Sequence, residues 1–166
     1  MNIVLVDDDI TFSNKLEADI KLYFKCLDEK INFIVLNDSF ETIRDIDQID
    51  LIFLDVDLNF EINGIDIGTY LKSKFPKIII VFVSMHEEFV FPALSIGFFQ
   101  FIRKTQYDFD IRKVLKQVEV FLKKNLKKIC IKMDGRSYVI RLSDIKYIMS
   151  IGHDLFISTY GKDYLI

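Results

Sequence analysis

Asp55 closes the apolar run Leu51-Ile52-Phe53-Leu54, and the acidic cluster Asp7-Asp8-Asp9 closes the run Ile3-Val4-Leu5-Val6. In an open parallel α/β sheet, sites form just outside the carboxyl ends of the strands, where the strand order reverses. Carboxylates gathered there repel one another and raise each other's pKa unless a cation neutralises them. A hard divalent ion with an octahedral oxygen shell, Mg²⁺ or Mn²⁺, meets that requirement. Three more polar residues sit at strand ends: Ser84 after the run 78–83, Lys104 after the run 99–103, and Asp57 two positions past Asp55. Carboxylates, a hydroxyl and an ammonium together suit an aspartyl nucleophile that takes up a phosphoryl group. The cation and Lys104 would balance charge on the phosphoryl oxygens, with the Ser84 hydroxyl bonding one of them.

The elements that must position these groups alternate between two periods. Continuous apolar or alternating strands are expected over 2–6, 32–36, 51–55, 78–83 and 99–103. Helical spacing is expected over 11–24 (Phe12, Leu16, Ile20), over a short stretch capped by Asp38 or Ser39 (Phe40, Ile43, Ile46), and over 65–75, stopped by Pro76. Further helices are expected over 88–96 and from Asp110 to about Asn125. Asp9 reads as a helix cap. Five βα units predict an α/β, doubly wound, five-stranded parallel sheet. From about Lys127 the pattern changes to short apolar runs separated by Asp134-Gly135, Ser143-Asp144 and Gly152, a β meander that begins an all-β segment. That segment stops at Tyr164-Leu165-Ile166, inside an apolar run, and the expectation is of a fragment or an unusually short product.

Bulk properties narrow the class. At 166 residues and 51% apolar content, one full domain and part of another are affordable. No run is long enough to span a bilayer, and no secretory signal opens the chain, so a cytoplasmic protein without membrane attachment is expected. Cys26 and Cys130 lack metal-type spacing and read as ordinary thiols. No glycine-rich phosphate loop is present, which argues against a nucleotide cofactor. Charge is uneven: residues 1–105 hold 10 Lys and Arg against 18 Asp and Glu, whereas residues 106–166 hold 12 against 7. The basic second part suits a polyanionic partner, or equally a solvated helix face bearing Arg112, Lys113, Lys116, Lys123, Lys124, Lys127 and Lys128.

On Leu5-Val6-Asp7-Asp8-Asp9, Phe53-Leu54-Asp55, Asn63-Gly64, Val83-Ser84 and Phe101-Ile102-Arg103-Lys104, in this order and at predicted strand ends, the chain resembles the receiver domain of two-component response regulators. The resemblance covers about residues 1–122 and implies a flavodoxin-like fold. It further implies Asp55 as phosphoacceptor, Asp7 and Asp8 as the acidic metal pair, and Asp57 as a ligand through its backbone carbonyl. Ser84 becomes the switch hydroxyl, Phe101 the switch aromatic, and Lys104 the phosphate-pairing lysine. Two features depart from the family: Thr105 stands where a proline usually follows the lysine, and the loop from Asp55 to Gly64 is longer, with Asn59 and Phe60 replacing a common proline.

The stretch Leu142-Ser143-Asp144-Ile145-Lys146-Tyr147-Ile148 is similar to the start of a LytTR-type DNA-binding domain. The implied organisation is a receiver over 1–122, a helical linker over 123–128 and an incomplete LytTR-type segment over 129–166. With the long loop and Thr105, it looks like regulators of the accessory-gene-regulator and competence type, which answer peptide quorum-sensing kinases. The implied partners are a sensor histidine kinase, a second copy through the face of the fourth helix, fifth strand and last helix, and promoter DNA if the C-terminal domain is complete. His153, in the turn 150–154, falls where the family places a DNA-touching loop; an ordinary hairpin turn is the other reading. His86 reads as a surface loop residue, having no partner Cys, Ser or His to serve.

Three functions are then open. One is a phosphorylation switch that biases two pre-existing states and is not an enzyme. Another is a receiver without output, acting as phosphate sink or heterodimerising decoy. The third is a haloacid-dehalogenase-like phosphatase built on Asp55-Val56-Asp57, against which stand the motif's place on a later strand and the unexplained Asp7-Asp8 pair.

Overall fold

The computed structural model describes residues 1–25, 31–37, 40–59, 61–125 and 128–166. The chain divides into two compact units, Met1–Leu115 and Lys116–Ile166.

The first unit contains β1 (Asn2–Val6), α1 (Ile10–Phe24), β2 (Asn32–Leu36), α2 (Phe40–Arg44), β3 (Leu51–Asp55), α3 (Gly64–Lys74) and β4 (Ile79–Ser84). It continues through α4 (Val90–Ala93), β5 (Gln100–Arg103) and the first part of α5 (Tyr107–Asn125), up to Leu115. The five strands form one parallel sheet in the order β2-β1-β3-β4-β5. This is the flavodoxin-like doubly wound arrangement expected from the alternation of periods. Strands β3 and β4 are buried at every position, as befits strands covered on both faces. Side chains of alternate parity serve the two faces. Val4, Val6, Ile52, Leu54, Ile80 and Phe82 join one cluster with Ile43, Ile67 and Leu71 from α2 and α3. Burying each of these side chains is worth roughly 1.5–3 kcal/mol, so the sheet is a stiff platform for its edge.

Element ends match the capping chemistry. Asp9 accepts a hydrogen bond from Phe12 N–H and opens α1, and Asn63 accepts from Asp66 N–H and opens α3. The helix expected over 88–96 is instead three short pieces: 3₁₀ turns over Glu87–Phe89 and Leu94–Ile96 flank the four-residue α4. Pro92 within it lacks an N–H to continue a ladder. The last helix starts at Tyr107, not Asp110, because the Asp110 carboxylate does not cap it. That carboxylate accepts from Arg103 N–H, Nε and Nη2 at 3.2, 2.7 and 2.9 Å. The proposed caps Asp38 and Ser39, together with Cys26 and Phe60, lie outside the described residues.

In the second unit the expected single meander is two sheets. β6 (Lys128–Met133) pairs antiparallel with β7 (Arg136–Arg141), and β8 (Ile145–Ile151), β9 (Asp154–Thr159) and β10 (Tyr164–Leu165) form a three-stranded sheet in the order β10-β9-β8. The β6–β7 turn holds Asp134 and Gly135 at φ 50° and 73°, the double left-handed turn that Asp-Gly favours. Tyr164-Leu165, in the last apolar run, pairs with Ile157 and Phe156 on β9. Residues 123–125 continue α5, and Lys128 opens β6. Cys130 is a free, exposed thiol. Among the described residues no helix is long and apolar enough to cross a membrane.

Candidate functional site

Register brings the strand ends into one row. Val6 lies beside Leu54, so Asp7 and Asp55 follow on adjacent strands; Asp55 lies beside Val83, so Ser84 comes one step later; Ser84 lies beside Arg103, so Lys104 completes the row. Asp7 is 2% exposed, Asp55 4% and Ser84 0%.

Lys104 joins the carboxylates. Its ammonium is 2.6 Å from Asp55 Oδ2 and 2.7 Å from Asp7 Oδ2. The other oxygen of each carboxylate is held by a backbone N–H two residues on: Asp57 N–H donates to Asp55 Oδ1 at 3.2 Å, and Asp9 N–H to Asp7 Oδ1 at 3.0 Å. Burial pushes the Asp55 carboxyl up to about 6, against the opposing pull of Lys104 and with a smaller push from Asp7. Burial likewise raises Asp7, again opposed by Lys104. For Lys104 itself burial acts downward, yet its pairing with the two carboxylates wins and the ammonium is raised. One cation shared by two buried anions leaves a net negative site.

The residues fit a hard divalent cation. Asp7, Asp8 and Asp55 each offer an oxygen, all within 4.8 Å of one another. Asp7 Oδ2 is buried with no hydrogen-bond partner, its contact to Lys104 being an ion pair of poor hydrogen-bond geometry. An all-oxygen donor set of three carboxylates, two of them buried, suits Mg²⁺. The Asp57 side chain is exposed and turns to His86, whose Nε2 lies 3.6 Å from Asp57 Oδ2.

The Ser84 hydroxyl accepts from His86 N–H at 3.1 Å, which leaves its own proton to donate. Phe101 is half-buried, 6.4 Å from the Phe98 ring, which in turn meets Phe82 at 5.6 Å. Thr105 sits in the 3₁₀ turn Lys104–Gln106. His153 belongs to the second unit, exposed in the β8–β9 turn.

Gly64, matched as part of Asn63-Gly64, has a steric role: a Cβ there would lie 1.9 Å from the Asp55 carbonyl oxygen, so only glycine lets α3 start against the end of β3. Other site residues escape a reading of motifs. Phe12, expected in the helix core, places its ring centroid 4.6 Å from Lys104 Nζ and packs edge-on against Tyr107 at 5.2 Å. Asn37 Nδ2 donates to the Asp7 carbonyl at 2.5 Å and to Ser13 Oγ at 3.0 Å, bracing the β1 end. Asn59 Nδ2 donates to Asp8 Oδ2 from the β3–α3 loop. His86 bridges the rim between Asp57 and Glu88, whose Oε1 is 3.0 Å from Nδ1. None of these has a sequence signal stronger than its neighbours.

A family model, "Response regulator receiver domain", matches residues 3–119. No curated protein matches. Similar solved structures include the response regulatory domain of protein mrkE from Klebsiella pneumoniae, with 18% identity, a TM-score of 0.65, and 75% of this chain and 99% of that one covered. Response regulator protein TrrA from Thermotoga maritima, solved in complex with Mg²⁺ and BeF, has 16% identity and a TM-score of 0.59 over 73% of this chain and 98% of that one. Response regulator DrrB, a Thermotoga maritima OmpR/PhoB homolog, has 18% identity and a TM-score of 0.57 over 90% of this chain and 66% of that one. At these identities the likeness is one of fold.

Proposed function

Because the chain belongs to the response regulator receiver domain family, we propose that Asp55 is the phosphoacceptor of a two-component phosphorelay, charged by a sensor histidine kinase. The observation that carries this reading is the row of Asp7, Asp55, Ser84 and Lys104 at one sheet edge, with Lys104 bridging both buried carboxylates. An Asp55 carboxylate oxygen attacks phosphorus, an acyl–phosphate bond forms, and the bond to the donor nitrogen breaks as that nitrogen takes a proton. Asp7, Asp8 and Asp55, with the Asp57 carbonyl, would hold Mg²⁺ or Mn²⁺. That cation, when bound, neutralises charge on the phosphoryl oxygens. Lys104 remains within reach of the same oxygens, and the Ser84 proton donates to one of them. The phosphoryl charge then biases two arrangements of the Ser84–Phe101 region.

For output, we favour transcriptional control through a LytTR-type DNA-binding domain that begins in residues 129–166, in a regulator of the peptide quorum-sensing type. Support comes from Leu142-Ser143-Asp144-Ile145-Lys146-Tyr147-Ile148, the excess of basic residues after 105, and the predominantly β character of the described segment after α5. His153 is the residue of the β8–β9 turn that would meet DNA. The receiver pairs with a second copy through α4, β5 and α5, where Phe91, Leu94 and Phe109 are more than half exposed. Beryllofluoride, which stands in for the phosphoryl group, tests the receiver part. With Mg²⁺ it should shift amide resonances of Asp55, Ser84, Phe101 and Lys104 together, and resonances that stay put would count against the site.

A further inference from the structure

Asp8 differs from the other two acidic ligands in how it is held. Asp7 and Asp55 are buried, and each carries a backbone N–H on one oxygen and Lys104 on the other. Asp8 is only half-buried, and Lys104 does not pair with it. Among the described residues its carboxylate makes one hydrogen bond, from Asn59 Nδ2 across 51 positions of sequence. A carboxylate beside two like charges gains by swinging toward water unless something holds it. The holder here is neutral. An amide orients Asp8 without cancelling the negative charge that a divalent cation needs, which a lysine or arginine in its place would do. Asn59 also lies in the loop that carries Asp57, so one bond ties the β3–α3 loop to the end of β1.

We infer that Asn59 is the positioning residue for Asp8 and sets the affinity of the acidic site for Mg²⁺. The inference rests on reading that site as a cation site. Hydrogen-bond partners of metal ligands typically govern roughly 10–100-fold in affinity.

The test titrates MgCl₂ into the full chain by calorimetry, with Mn²⁺ electron paramagnetic resonance as a second readout. Asn59→Ala, and Asn59→Ser with a side chain too short to reach Asp8, should each weaken Mg²⁺ binding by about tenfold or more. In an Asp8→Asn background the Asn59 changes should cost nothing further, since their effect runs through that carboxylate. A loss of about threefold or less, or an undiminished loss in the Asp8→Asn background, would overturn the role of Asn59. No Mg²⁺ uptake by the unaltered chain would overturn the cation reading beneath it, a distinct result.

Discussion

The Lys104 ammonium lies between Asp55 and Asp7, 2.6 and 2.7 Å from one oxygen of each, with 10% of its side chain exposed. The chain itself thus supplies one cation that pairs with both buried carboxylates. On the proposed reading the same ammonium would serve the phosphoryl group on Asp55, so its two roles would share one position.

Lys104→Ala removes that cation and leaves two buried carboxylates facing each other. Breaking a buried pair from one side costs about 3 kcal/mol or more, tempered as the carboxyls protonate. The metal-free variant should melt well below the unaltered protein, and saturating Mg²⁺ should restore much of the difference. Thermal denaturation of both proteins with and without Mg²⁺ checks this.

Cation binding should strengthen as pH rises through about 6, where Asp55 loses its proton, and level off above that. Stability of the metal-free fold should move the opposite way. The folded carboxyl is raised above its ordinary value, so between about 4 and 6 the folded state holds a proton that the unfolded chain has released. This group's contribution is complete below that window and falls as pH rises through it. Calorimetric Mg²⁺ titrations and urea unfolding across pH 4–8 read both trends, and Asp55→Asn should flatten its share of each.

Gly64→Ala tests how the loop closes over the site. Its Cβ would fall 1.9 Å from the Asp55 carbonyl oxygen and 2.8 Å from Val56 Cα, both backbone atoms that cannot swing aside. Relief requires moving the start of α3, at about 2–3 kcal/mol by analogy with overpacked cores. The variant should be less stable in urea and should bind Mg²⁺ more weakly, because Asp55 and Asp57 flank the displaced backbone.

The sheet was legible because β1, β3 and β4 are nearly continuous apolar runs, and because Asp7, Asp55 and Ser84 close or follow such a run while Lys104 follows β5 by one step. A strand-end position is a spatial position in a parallel sheet, so linear order carried over to the row of groups. Less was legible where a side chain chooses among partners. Asp110 looks like a helix start, but Arg103 takes its carboxylate and the helix begins at Tyr107. Phe12 has the spacing of a core residue yet faces Lys104. Asn59 is a loop residue with no periodicity, and its contact with Asp8 depends on the path of the loop. After α5, short apolar runs were visible as strands, but their division into two sheets is a matter of pairing that run lengths do not encode.

The most direct test of the phosphoacceptor site is intact-mass measurement after incubation with a small phosphodonor, with and without Mg²⁺, on the unaltered chain and on Asp55→Asn. The structure predicts addition of one phosphoryl group to the unaltered chain, dependent on Mg²⁺, and none to Asp55→Asn. Equal labelling of Asp55→Asn, or labelling indifferent to Mg²⁺, would contradict the assignment of Asp55 and of the acidic site around it.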